Sequence, residues 1–256
     1  MNILVCIKRV PDIGAKVELT GDRRAIVTRN LGFTISPHEE CAVEEAVQWI
    51  EKDGGVSTVL TLGPDGAEEQ LRDSLARGVD RGILLEVEEG EWDPGETARA
   101  IVEAIRAGGR EGVGFDLFLF GNEAADTGDF QVGIRVAHAL NLPCVTGIKH
   151  LELVDNKAVC KREVDSGWEV YEVPLPAVIT VKEGINLPRY PSLRGTMKAK
   201  KKPVDRVRPE RSAAGLQMLE LSHPPEQGKK VEMLGEGSAA APKVVELLKD
   251  LEVIPS

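Results

Sequence analysis

No stretch of this 256-residue chain approaches the roughly 20 consecutive apolar positions that a membrane-spanning helix needs. Nor is there a Cys-x-x-Cys pair. Cys6, Cys41, Cys144 and Cys160 are scattered, with no histidine at ligand spacing, so a metal site or disulfide framework is not expected. Each reads as a small buried hydrophobe. Two common phosphate binders are missing as well: no Walker lysine motif occurs, and no Gly-x-Gly-x-x-Gly follows the first strand. His38, His138, His150 and His223 lie far apart in sequence, and no nucleophile stands beside a base. An acid–base catalyst is therefore not expected; a carrier needs no such constellation. The net charge of −10 argues against a nucleic-acid partner. No basic region precedes the apolar run Asn2–Ile7, which reads as a first strand and not a signal peptide, with the cytoplasm as the expected compartment. Internal repeats and low-complexity tracts are missing too.

The hydrophobic content of 42% is ordinary for a globular protein, and the length suffices for one large domain with additions. The apolar pattern alternates between strand and helix periods. Residues 2–8 form an apolar run with little alternation, as in a strand buried on both faces. Val17–Thr20 and Ala25–Val27, joined by Gly21-Asp22, read as a hairpin. Ser36-Pro37-His38-Glu39 reads as a helix start, with Ser at the N-cap and Pro at the first helical position. Behind it Ala42, Val43, Ala46, Val47 and Ile50 define one face. Strands follow at 58–62, 83–87 and 115–120, and helices at about 65–77, 95–107 and 131–140. That rhythm predicts a parallel sheet covered on both faces.

After Pro143 the pattern changes. Residues 145–154, 158–164 and 169–173 read as an antiparallel edge ribbon, and 174–181 as a buried strand. Residues 182–229 show little periodicity and predict an arm without regular structure, wrapped on a partner. A strand-like 230–234 and a helix over about 241–250 end the chain.

In open parallel sheets, ligands bind beyond the carboxyl ends of the strands. Three such ends carry suitable loops: Lys8–Asp12, Leu62-Gly63-Pro64, and Gly121-Asn122-Glu123-Ala124-Ala125-Asp126-Thr127-Gly128-Asp129-Phe130-Gln131-Val132-Gly133. The last runs into a helix whose first N–H groups offer a phosphate site. The alternative is a tight turn with Asp126 or Asp129 capping the helix.

The segment Asn186–Pro203 holds two early prolines, Tyr190, then Leu193 between Ser192 and Arg194, then Lys198, Lys200, Lys201 and Lys202. Prolines exclude a regular helix or central strand where it begins. Leu193 is expected to project into solvent; the alternative is a small satellite core under the loop.

This segment resembles the most diagnostic stretch of the electron transfer flavoprotein beta-subunit family: Asn-x-Pro-Arg-Tyr, then Leu, then Met-Lys-Ala-Lys-Lys-Lys. The opening Cys-Ile-Lys-Arg-Val-Pro-Asp, Ala42–Ala46, Lys161–Asp165 and Leu175–Val178 resemble the family as well. The resemblance implies an α/β, parallel-sheet Rossmann-like domain of the adenine nucleotide alpha hydrolase type, with an edge ribbon and a long C-terminal arm. It implies a nucleotide-binding domain over 1–182, a partner recognition loop over 183–203, and an arm over 204–256 that wraps an alpha subunit. It places AMP, or in bifurcating members a second FAD, against Cys6, Ser36, Pro37, His38, Glu39 and Leu62. The same nucleotide meets the 121–133 loop, where Gly121, Ala124, Asp126, Gln131 and Gly133 keep the family pattern while Asn122 and Glu123 depart from it. Thr127, Gly128, Asp129, Phe130 and Val132 complete that loop. The redox FAD would be shared with the alpha subunit, which this chain meets near Ile13. Tyr190, Leu193, Met197, Lys198 and Lys201 would dock an acyl-CoA dehydrogenase or similar flavoprotein. A membrane would be involved only through an acceptor oxidoreductase. Alternatives are a bifurcating subunit that carries its own FAD and oxidises NADH, and a stand-alone adenine-nucleotide-binding protein.

Overall fold

A computed structural model describes residues 1–12, 14, 16–88, 90, 92–107, 114–211, 215–225 and 233–255. The elements are β1 (Asn2–Ile7), β2 (Val10–Pro11), β3 (Phe33–Thr34), α1 (Pro37–Asp53), β4 (Val56–Gly63), α2 (Glu68–Arg77) and β5 (Arg81–Glu86). Then follow α3 (Pro94–Ala107), β6 (Leu117–Gly121), α4 (Val132–Leu140), β7 (Cys144–Val154), β8 (Lys157–Val164) and β9 (Gly167–Pro174). The last are β10 (Ala177–Val181), α5 (Leu193–Ala199), β11 (Val204–Val207) and α6 (Ala241–Asp250).

Among the described residues one nine-stranded sheet runs in the order β11-β5-β4-β1-β6-β10-β7-β8-β9. From β11 to β7 all neighbours are parallel, and β7, β8 and β9 form the antiparallel ribbon. The fold class is the α/β arrangement that the alternating periods predict. Strand β1 is buried almost throughout, because helices cover both faces. On one face Val43, Ala46 and Val47 of α1, Leu71 and Leu75 of α2, and Ala199 of α5 pack on Ile3, Val5 and Leu119. On the other, Ala98, Ile101 and Val102 of α3 and Val136 of α4 pack on Leu4, Phe118 and Val178. Cys6, Cys41 and Cys160 are buried, as expected of small apolar side chains, whereas Cys144 is only half-buried; all four are free thiols. Burial pushes the Cys144 thiol up to about 11.

Differences from the expected elements have local causes. Helix α2 begins behind a separate 3-10 turn, Asp65–Ala67. The expected hairpin over 17–27 is reduced to a bridge between Leu19 and Ile26. The stretch after Lys182, expected to be irregular, holds two regular elements. Ser192, directly after Pro191, caps α5, its Oγ accepting the Gly195 N–H at 3.0 Å. Val204–Val207 adds the outermost strand of the main sheet, parallel to β5, so this part of the arm pairs with its own chain. Arg206 secures it on Asp65, Glu68 and Glu86. Of the strand-like 230–234 stretch, residues 230–232 lie outside the described residues. Residues Met1–Leu219 form one compact unit and Glu220–Ser256 a second. The second holds a 3-10 turn, Gly237–Ala240, leading into α6.

Candidate functional site

The strand order reverses at β1. The chain fills β4 and β5 on one side of it and then crosses to β6 on the other. The crevice at such a switch point is where an open sheet holds a ligand. The segments leaving β1 and β6 and the start of α1 meet here.

Glu39 ties them together. It stands at the third position of α1, and its carboxylate accepts the Lys8 N–H at 2.9 Å and the Ser36 N–H at 3.0 Å. Burial pushes its carboxyl up to about 8, against the pull of those two hydrogen bonds. Gly121 ends β6 against it: a Cβ there would sit 2.6 Å from Glu39 Cγ. Ser36 is fully buried, and its Oγ donates to the Glu123 carbonyl at 3.2 Å. Pro37 opens the helix behind it. His38 reaches Glu123 Oε1 through Nε2 at 3.3 Å. Cys6 is buried at the end of β1, and burial holds its thiol well above the ordinary range. Leu62 lines β4 half-buried.

The loop beyond β6 is folded on itself. Asn122 is buried; its N–H donates to the Val181 carbonyl and its Oδ1 accepts from Thr180 Oγ1, both at 2.9 Å. Thr180 Oγ1 in turn accepts the Gly147 N–H. Asn122 is thus a structural tie between the loop and β10. Asp126 accepts from Lys8 Nζ at 2.7 Å and from the Thr127 N–H at 2.8 Å. Asp129 accepts from Thr127 Oγ1, and the Gly128 N–H returns to the Ala124 carbonyl. Phe130 is exposed.

Neither aspartate caps α4. Gln131 is its N-cap, no side chain bonds the first turn, and no acidic residue stands there. The first N–H groups, around Val132 to Ile134, are left to an outside acceptor, which is what an anion needs. Gly133 lets α4 approach the sheet, because a Cβ would meet the Phe120 ring at 3.1 Å and Thr180 Cγ2 at 3.2 Å. Ile13, the residue expected to face a flavin, lies outside the described residues.

A family model for the electron transfer flavoprotein domain matches residues 24–212. The chain is 39% identical over 253 residues to the electron transfer flavoprotein subunit beta of Syntrophomonas wolfei, covering 98% of this chain and 96% of that one. It is 35% identical to the same subunit of Bacillus subtilis, over 97% of this chain and 98% of that one. To the human subunit it is 34% identical, over 91% and 93%. This chain belongs to the electron transfer flavoprotein beta-subunit family.

The segment from Asn186 to Lys202 lies along α1, beyond the crevice. Asn186 Nδ2 donates to the Cys41 carbonyl at 3.0 Å and to Glu45 Oε2 at 2.8 Å. Arg189 grips Glu44 through Nε at 2.9 Å and Glu51 through Nη1 at 2.7 Å. On that base stand Leu187, Tyr190, Leu193 and Met197, at 89%, 93%, 88% and 71% exposure. Leu193 projects into solvent, as its polar flanks predict, and does not form a satellite core. Behind them α5 packs on α2 through Ala199; a Cβ on Gly195 would run into the Ala76 carbonyl. Arg72 Nη1 holds the carbonyls of Ala199 and Lys202. Lys198 and Lys201 are exposed. Lys202 is not part of that cationic surface. Its ammonium group donates to the carbonyls of Leu75 and Gly78 at the end of α2, and burial pulls its pKa down.

The expected site residues therefore fall into two clusters along one helix. Residues to which sequence reasoning gave no role are the supports Thr180 and Arg189; Lys8 stood there only as the start of a candidate loop. Thr180 carries a legible signal, a lone hydroxyl in the apolar run Ala177–Val181. Arg189 carries none, since Glu44 and Glu51 are two among many glutamates.

Proposed function

We propose that the chain is the nucleotide-holding and partner-docking half of an electron transfer flavoprotein heterodimer. It holds one adenine nucleotide in the switch-point crevice, with a phosphate on the free N–H groups of α4. Electrons pass between a dehydrogenase and an acceptor through an FAD held with the alpha subunit. The single observation that carries this reading is the uncapped start of α4 beside a loop already closed by its own hydrogen bonds.

The number of donors favours AMP over a second FAD. The crevice sets Glu123, Asp126 and Asp129 beside Lys8, and Lys8 is already paired with Asp126. Helix N–H groups suffice for one phosphate; a pyrophosphate needs donors for a second one. The FAD supplies the redox chemistry when bound. This chain's residues orient the nucleotide and present the docking side chains, and no proton-transferring group is required of them. Leu193 is the proposed anchor for an apolar pocket on the dehydrogenase, with Lys198 and Lys201 steering the approach.

Denaturing the purified heterodimer and identifying the released nucleotides by mass and absorbance tests the reading. One FAD and one AMP per heterodimer are expected. Two FAD and no AMP overturn the carrier reading in favour of the bifurcating one, and a chain that purifies alone with bound nucleotide overturns both.

A further inference from the structure

His38 touches two segments at once. Its side chain is 16% exposed, behind Pro37 in the first turn of α1. Nδ1 accepts the backbone N–H of Glu183 at 2.8 Å. The ring proton of the neutral imidazole must then sit on Nε2, from which it is donated to Glu123 Oε1 at 3.3 Å. Glu123 belongs to the loop that leads to the α4 N-terminus. Glu183 begins the segment that leads to Asn186, Arg189 and Leu193.

The neighbouring ties show what this bridge adds. The Asn122 N–H bonds the Val181 carbonyl, and the Lys182 N–H bonds the Ile148 carbonyl. Both lie within or against the sheet and hold β10 in place. Beyond them the segment is held at Cys41, Glu44 and Glu45 of α1. Between the sheet and those anchors, the Glu183 N–H rests on His38. His38 at Glu183 and Cys41 at Gly184 thus set where the docking segment leaves the sheet, and of the two it is His38 whose position is set by Glu123.

We propose that His38 is a positioning residue that couples occupancy of the nucleotide crevice to the order of the docking segment. The inference rests on the nucleotide reading given above. A phosphate on α4 holds the 121–133 loop, the loop holds Glu123, and Glu123 keeps the ring aligned for the Glu183 N–H. By linkage, a partner that orders the docking segment tightens the nucleotide by the same factor.

The test is amide hydrogen exchange on the intact heterodimer, stripped of nucleotide and then saturated with AMP. In the wild type, AMP is expected to slow exchange across residues 183–192 by about threefold or more, the amide-protection readout of local order. His38→Phe keeps a ring of similar size and loses both hydrogen bonds. At AMP concentrations that saturate the variant, set from its own binding isotherm, it should show no AMP response at 183–192. His38→Gln keeps one acceptor and one donor and should restore the response. Glu123→Ala removes the other end of the bridge without touching α1 and should behave as His38→Phe does. An unchanged AMP response in both His38→Phe and Glu123→Ala overturns the proposal. So does AMP binding by the wild type with no response at 183–192, which leaves the nucleotide reading standing. Failure of the wild type to bind AMP overturns that reading and this inference with it.

Discussion

At its N-terminal turn, helix α1 sits in a crevice whose side chains are turned inward on one another and whose free groups are backbone N–H. Along its middle the same helix carries a segment of the opposite kind. There the backbone and the polar side chains of Asn186 and Arg189 are engaged, and Tyr190, Leu193 and Met197 are left bare. Backbone donors in a fixed array suit a small anion, which offers only oxygen atoms in a defined geometry. Bare apolar side chains on a stitched base suit a protein surface, where a few anchors carry most of the energy. In both places the exposed chemistry is held by buried carboxylates of α1, Glu39 in one and Glu44 in the other.

The largest effect is expected from cutting the base of the docking segment. Arg189→Ala leaves the buried Glu44 carboxylate without its cation, a loss on the order of 3 kcal/mol. Denaturant unfolding should show that loss, and it should be accompanied by faster proteolysis between Asn186 and Lys201. Burial pushes the Glu44 carboxyl up, but its hydrogen bonds from Arg189 and Gln48 outweigh this and hold it below the ordinary carboxylate value. A lowered native pKa contributes stability that is present above the unfolded value and lost as pH falls through the native one. The gap between wild type and Arg189→Ala should therefore narrow on acidification below about pH 4.5. A gap that widens in acid breaks the assignment.

The anchor comes next. Leu193→Ala should leave the melting temperature and flavin content alone while slowing electron transfer with the dehydrogenase by about tenfold, since burying a leucine is worth roughly 1.5–3 kcal/mol. Earlier melting with normal transfer would mean that Leu193 is core.

At the crevice, Gln131→Asp places a capping carboxylate on the free N–H groups of α4. The variant should gain roughly 0.5–1 kcal/mol of stability and lose nucleotide, because cap and phosphate compete for the same donors. Retention of the nucleotide would show that it does not sit on those groups. Gly133→Val is the blunter change, since it also collides with Phe120 and Thr180.

The smallest pair of effects separates two adjacent lysines. Lys202→Met should cost about 1 kcal/mol in unfolding, because it uncaps α2. Lys201→Met should leave stability alone and lower only the association rate with the partner, an effect that fades as salt is raised. Equal behaviour of the two would erase the distinction between cap and steering charge.

Much of this architecture is legible in the residue pattern. The capping box at Ser36 and Glu39, the inward face of α1 and the exposure of Leu193 all follow from local spacing, and the structure has them where the spacing puts them. The helix in the docking segment is masked by the prolines in front of it, although Ser192 is an ordinary N-cap. Strand β11 escapes detection because four residues of edge strand leave too short a pattern to recognise.

The alternation of strand and helix, the parallel sheet, the crevice loop and the family are all written in the residue order. They depend on periods and motifs that span a few residues, where the chain's own geometry decides the outcome. Packing across the fold, and nothing local, settles that Asp126 holds Lys8, that Asn122 binds Thr180, and that Lys202 is withdrawn from the cationic surface. The same packing places His38 between Glu123 and Glu183. Lys202 and the carbonyl it caps at Leu75 are 127 residues apart in the chain. Which of several equivalent lysines or carboxylates is consumed by such a contact depends on which segments the fold brings together, and no local pattern records that choice.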